Sequence, residues 1–218
     1  MILCENWGDK LYLSRIRLNT QKRSTQLALA SPSKFHGAVE ACCNYSNERK
    51  LWRIDPLKGN RYLLLLSPEK PNLTSIKEQY GYPEDADEIK CYDALLDNIT
   101  EGSIWQFRLT ANPTHSLPPS GSGRGKVVAP TSEKYQMEWL TKKASQNGFS
   151  LLSDESCVIS SGWKAFHKAN TKKKVQIKET TYQGILRVDE VSLFREALTH
   201  GIGRGKAYGM GLLTVMRL

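Results

Sequence analysis

Leu51-Trp-Arg-Ile54 and Arg61-Tyr-Leu-Leu-Leu-Leu-Ser67 are two strand-forming runs, and the segment between them holds Pro56, Gly59 and Asn60. Apolar and β-branched residues on either side of such a turn predict an antiparallel hairpin. Leu63 to Leu66 is apolar at every position, the pattern of a strand covered on both faces. The fold is decided by what flanks this hairpin. Upstream, Leu11-Tyr-Leu-Ser-Arg-Ile-Arg-Leu18 alternates as a half-buried strand does. A polar loop over Asn19 to Thr25 follows. Ser31-Pro32 then reads as an N-cap with proline at the first helical position. The helix carries Phe35, Ala38, Val39 and Cys42 on one apolar face and ends near Asn44 to Asn47.

Downstream, Ser67 to Glu84 is polar and contains proline. Glu84 to Glu101 is acidic and has room for a short helix around Tyr92 to Leu96. Ser103 to Ala111 alternates as a strand. The order β-α-β-β-(α)-β over residues 11–112 is that of a ferredoxin-like unit. Asn112 to Lys126, with Pro113, Pro118, Pro119 and Ser120-Gly-Ser-Gly-Arg-Gly-Lys126, reads as a linker, assigned to 113–126. Over 127–218 the order repeats in weaker form: a helix from Pro130 to Asn147 closed by Gly148, strands at Phe149 to Leu152 and Cys157 to Ser160, a long strand or hairpin at Val175 to Val188, a helix at Val191 to His200, and a strand at Leu212 to Leu218. The expected class is α+β, with two tandem ferredoxin-like (βαββαβ) domains. Residues 1–10 form an N-terminal extension with no signal-peptide pattern.

The chain has 218 residues and a formal net charge of +9. From Gly162 to Leu218, eleven Lys and Arg face four Asp and Glu, so +7 of that charge sits in the last quarter. Such asymmetry favours a polyanionic partner. No apolar run is long enough for a membrane helix. The five cysteines, Cys4, Cys42, Cys43, Cys91 and Cys157, include no C-x-x-C pair, which argues against a disulfide framework or zinc ribbon and for reduced thiols in the cytoplasm.

Three features bear on chemistry. Gly201-Ile-Gly-Arg-Gly-Lys-Ala-Tyr-Gly-Met-Gly211 packs five glycines around Arg204 and Lys206. Glycines let backbone N–H groups come close to a phosphate, so Gly203, Arg204, Gly205 and Lys206 are candidate contacts. Ala207 after the lysine excludes a Walker A loop, and Tyr208 excludes a dinucleotide fingerprint. A second basic feature comprises Lys164, His167, Lys168, Lys172, Lys173, Lys174 and Lys178, read as a hairpin arm that can enter the deep groove of an RNA stem or follow its backbone. Arg124 and Lys126 in the linker add to it. The third is His36, near a helix N-terminus that favours phosphate. Glu40, one turn on, can orient its ring. A histidine beside a phosphodiester can act as general acid or base for attack by a 2′-OH, although a lone helical histidine is also a common bystander. The acidic run Glu84 to Glu101 lacks a metal-ligand pattern and reads as solvated surface or a face for a protein partner.

Leu11 to Leu18, Phe35-His36, Leu51-Trp-Arg-Ile-Asp55, Phe107-Arg-Leu-Thr-Ala-Asn-Pro113 and the segment Gly201 to Val215 together resemble the CasE family, the CRISPR repeat-RNA endoribonuclease subunit of the type I-E Cascade complex. The resemblance runs from about Leu11 to the C-terminus, so residues 1–10 precede the usual family start. It implies two tandem ferredoxin-like domains and cleavage of a repeat hairpin at the 3′ base of its stem, with no metal or other cofactor. The product would stay bound as the 3′ hairpin of the guide RNA. Partners would be the repeat RNA and other Cascade subunits, with a DNA target met only through the complex and no membrane. His36 falls at the family's catalytic histidine, and His167 and Lys168 at basic positions of its stem-binding hairpin. Some relatives carry Tyr three residues before this histidine and Lys five after it; here these are Ser33 and Ala41. Lys34, Lys206 or backbone N–H groups must then stabilise transition-state charge. A subunit that caps the guide hairpin without cutting is the alternative.

Overall fold

The computed structural model describes residues 10–43, 49–117, 127–152, 155–167 and 174–218. Its first sheet holds β1 (Tyr12–Leu18), β2 (Leu51–Leu57), β3 (Asn60–Ser67) and β4 (Glu88–Cys91) in the order β2-β3-β1-β4, all antiparallel. Helices α1 (Arg23–Ala30), α2 (Ser33–Glu40) and α3 (Thr74–Tyr80) occupy the crossovers, and the short α4 (Asp93–Leu96) follows β4. The β2–β3 turn is the two-residue loop Lys58-Gly59, with both φ positive (48° and 77°), the geometry that matches strand twist in a tight hairpin.

The second sheet holds β5 (Ile104–Ala111), β8 (Phe149–Leu151), β9 (Cys157–His167), β10 (Lys174–Val188) and β11 (Leu213–Arg217). Its order is β11-β5-β10-β8, with β9 also paired to β10, and α5 (Glu133–Gln146) and α6 (Val191–His200) complete the unit. The first sheet therefore reads fourth, first, third, second, the ferredoxin-like order, and the second does so with β8 and β9, both paired to β10, taken together as its second strand.

One assignment differs from the sequence reading. Ser103 to Ala111 was to close the first sheet, but β5 pairs with β10 and β11 and is the first strand of the second sheet. The fourth strand of the first sheet is β4, inside the acidic run. The stretch read as a linker between domains instead joins β5 to α5, and its ends pair as β6 (His115–Ser116) and β7 (Val127–Val128). The expected extension (all but Lys10), the glycine-rich part of that stretch and the expected helix end at Asn44 to Asn47 lie outside the described residues; α2 already ends at Glu40.

The all-apolar run in β3 has the expected cause. Leu63 and Leu65 join Phe35, Val39, Trp52 and Tyr80 under the helices of the first sheet. Leu66 and Leu51 join Trp105, Phe107, Tyr182 and Phe194 in a core shared with the second unit. The halves are thus welded through the first sheet's other face. Among the described residues, no helix is long and apolar enough to cross a membrane.

Candidate functional site

Phe35 and Val39 are fully buried, with the Phe35 ring 4.8 Å from Tyr80 and 5.8 Å from Trp52 between centroids. That packing fixes the roll of α2 and leaves His36 and Glu40 partly open to solvent. Proline sets the start of the helix. Pro32, not Ser31, takes the N-cap position of α2, Ser31 closes α1, and the Lys34 and His36 N–H groups donate to the Ser31 and Pro32 carbonyls. His36 Nδ1 lies 3.6 Å from Glu40 Oε1, and the other carboxylate oxygen lies 3.2 Å from Lys50 Nζ. The Lys50 side chain is only 3% exposed, so it serves to hold Glu40 rather than to reach a substrate. With Nδ1 turned toward Glu40, Nε2 is the ring nitrogen that this carboxylate does not face.

The glycine-rich loop lies opposite. A cleft of about 720 Å³ is lined by His36, Glu40, Arg49 and Lys50 on one side and by Gly203 to Tyr208 on the other. The loop is closed by Ile202 N–H donating to the Gly211 carbonyl (2.8 Å) and Gly211 N–H donating to Thr110 (2.7 Å), and Arg204 bridges to Asn112. Burial, and secondarily the charge of Arg49, lowers the Lys206 pKa. Two cations held against each other are relieved by an anion between them. Lys206 Nζ also donates to the His200 carbonyl at 2.5 Å, capping the end of α6.

The glycines have a structural explanation that the phosphate reading alone did not supply. Gly209 has φ 80°, and a Cβ there would lie 2.7 Å from the Trp52 ring. Gly209→Ala is expected to destabilise the fold by about 2 kcal/mol or more in urea unfolding, because a left-handed backbone and an overpacked ring act together. A loss below about 0.5 kcal/mol would show that the loop does not need its contact with Trp52.

The basic arm is the β9–β10 hairpin. Phe166, Ile177 and Met210 form a small core with Val175 and Tyr208, which ties the arm to the glycine loop. Ser33 Oγ donates to the His167 carbonyl at 3.5 Å, which brings the arm beside α2. His167 and Lys174 are exposed, as are Lys34 and Glu40 on α2. Two of the expected contacts are otherwise engaged. Lys164 pairs with Glu179 at 2.7 Å, and Lys178 is 7% exposed with its ammonium 5.5 Å from the Trp163 ring centroid. Lys168, Lys172, Lys173, Arg124 and Lys126 lie outside the described residues.

Sequence reasoning passed over Arg49 and Lys50. Their only local signal is an adjacent basic pair before a strand, and their place facing His36 is a tertiary fact. The acidic run is largely exposed, as expected of a solvated face, but three of its carboxylates are paired within the fold. Asp85 forms a bidentate pair with Arg17, whose guanidinium holds that carboxyl below the usual range, Glu88 pairs with Arg15, and Asp87 pairs with Lys77. These carboxylates fasten β4 and its approach to β1 and α3. Among the described residues, no group of three or more His, Cys, Asp or Glu is placed to hold a metal.

A family model described as CRISPR associated protein matches residues 11–217. The CRISPR-associated endoribonuclease Cse3 of Thermus thermophilus is 28% identical over 223 residues, covering 94% of this chain and 99% of that protein. The fold matches Thermus thermophilus Cse3 bound to an RNA representing a pre-cleavage complex, with a TM-score of 0.80 at 24% identity over 95% of this chain and 99% of the other. It also matches the CRISPR-associated protein Cas6e of Escherichia coli K-12, with a TM-score of 0.65 at 19% identity over 95% of this chain and all of that one.

Proposed function

Because the chain belongs to the CRISPR associated protein family, we propose that it is an endoribonuclease that cuts CRISPR repeat RNA at the 3′ base of a stem and keeps the product hairpin within a Cascade-type complex. The observation that carries the proposal is the cleft in which α2 sets His36 across from Arg204 and Lys206. A general acid/base facing cations is what phosphodiester cleavage by an internal hydroxyl requires. The relative named above as an endoribonuclease, and its RNA-bound structures, support the same class.

In the proposed reaction the 2′-OH loses its proton as its oxygen bonds to phosphorus. The P–O5′ bond breaks, and the departing 5′-oxygen takes up a proton. The products are a 5′-OH and a 2′,3′-cyclic phosphate, which water can open to a 3′-phosphate. His36 Nε2 handles a proton at one of the two oxygens. Arg49, Arg204 and Lys206 offset the charge on the phosphoryl oxygens, in place of the Tyr and Lys that some relatives have where this chain has Ser33 and Ala41. Lys34 is open to solvent on the same helix and adds to this field. His167 and Lys174, with Lys168, Lys172 and Lys173, serve the stem; Lys164 and Lys178 support the arm from within. No step needs a metal or other cofactor. The compartment is the cytosol, where buried thiols such as Cys42, pushed up to about 12 by burial, stay reduced and inert.

The test is a cleavage assay on repeat RNA in EDTA. Cutting is expected to persist, and a single 2′-deoxy nucleotide 5′ of the scissile phosphate is expected to stop it. Cutting of the deoxy substrate would replace the 2′-OH route with an attacking water. Tight binding with no cutting of either RNA would favour the guide-capping subunit, a reading to which Ser33 and Ala41 lend weight.

A further inference from the structure

The arm has two faces of opposite character. Register pairs Lys164 with Ile177 and Phe166 with Val175 on one face, where Ile177, Phe166 and Val175 enter the small core under the glycine loop and Lys164 pairs with Glu179. On the other face Trp163, Ala165 and His167 stand opposite Lys178, Gln176 and Lys174. Trp163 is 50% exposed, a large apolar plate on the face that also carries His167 and Lys174. Its cross-strand partner Lys178 is almost fully buried, with its ammonium over the ring. An ammonium in that position is attracted to the ring face and holds the indole in place. Two residues along the strand, Ala165 is too short to cover the ring, and a side chain at Gly162 would meet open space.

We propose that Trp163 is a stacking plate for one unpaired RNA base, positioned by Lys178 and flanked by His167 and Lys174. The proposal rests on the RNA-binding reading above and adds a ligand contact to it. Bases inside a stem have no free face, and the terminal pair shows its face only along the helix axis, so an indole on an arm that lies beside the stem finds its stacking partner in an unpaired nucleotide at the edge. The surrounding cations fit an RNA strand rather than an apolar protein partner.

Equilibrium binding to two RNAs tests this: a stem-loop with a short single-stranded flank, and the same stem-loop trimmed blunt. Wild type is expected to prefer the flanked RNA by about tenfold, the size of one base–aromatic stack. Trp163→Ala should bind both RNAs as wild type binds the blunt one. Trp163→Phe should keep most of the preference. Trp163→Leu, apolar but without a π face, should behave like alanine. Equal losses on both RNAs, no loss at all, or full retention in Trp163→Leu would overturn the stacking plate and leave the RNA-binding reading intact. Unchanged RNA binding with lost assembly into the larger complex would reassign Trp163 to a protein contact. Failure of wild type to bind either RNA would remove the reading beneath the proposal.

Discussion

His36→Ala is expected to slow single-turnover cleavage of the repeat hairpin by about 10²- to 10⁴-fold, the usual worth of a positioned acid or base. That is about 3–5 kcal/mol of transition-state stabilisation. Binding of the same RNA should change by no more than about twofold. The separation follows from where the residue sits. Phe35 and Val39 do the packing of α2, while the His36 side chain is partly exposed and faces Glu40. Alanine is the better helix former, so α2 should persist. In the proposed function affinity comes from the cations of the arm and loop, which the substitution does not touch. Glu40→Gln keeps the size of the side chain but loses the charge that faces both Nδ1 and Lys50, and an intermediate loss in rate is expected. Filter binding and cleavage measured on one preparation decide the matter: a variant that cuts at the wild-type rate would remove His36 from the chemistry.

How far the sequence could be read depended on whether local pattern or distant partners decided each element. β1, the β2–β3 hairpin, α5 and α6 were legible because alternation, a tight turn and terminal glycines are local signals. β4 was not. Glu88-Ile-Lys-Cys91 is a short edge strand whose charge looks solvated until Arg15 and Arg17 of β1 are placed beside it. With β4 unseen, the next clear strand was borrowed to complete the first unit, and the boundary moved past β5. α1 and α3 were hidden for a related reason: each is a short helix in a polar stretch, stabilised by packing rather than by composition. The candidate site follows the same division. His36 and the glycine loop could be named from sequence, because helix starts and glycine clusters have local signatures. That they face one cleft could not, nor that Arg49 and Lys50 share it. Charge counting overestimated the arm, because Glu179 and Trp163 each engage a lysine that sequence had offered to RNA.

Arg53→Met is expected to cost about 3–5 kcal/mol in urea unfolding. Arg53 is 1% exposed in β2, where a strand residue would ordinarily be apolar. Its Nε and Nη2 donate to the two Asp55 carboxylate oxygens at 2.8 and 2.6 Å. Nη2 also donates to Thr214 Oγ1 at 2.8 Å, and Nη1 donates to the carbonyls of Arg108 and Leu212 at 2.9 and 2.7 Å. All five N–H groups are used, and three of the bonds cross from the first sheet to β5, β11 and the residue before β11. Methionine fills much of the volume but leaves Asp55 largely buried, with Arg108 Nε 3.5 Å away as its remaining cation. Lysine offers one ammonium where a planar fork is needed, so Arg53→Lys should also lose most of the stabilisation. Removing both charges together, as Arg53→Met with Asp55→Leu, should recover part of the loss, because the cost lies in the stranded carboxylate. The consequence reaches the site: the cleft has one wall on α2 and the other on a loop of the second unit, and Arg53 is a buried polar fastening between those units. Cleavage by Arg53→Met should therefore fall even at temperatures where circular dichroism reports a folded protein. If stability drops by less than about 1 kcal/mol, the shared apolar core around Leu51, Leu66 and Phe107 holds the two units by itself, and the arginine is dispensable.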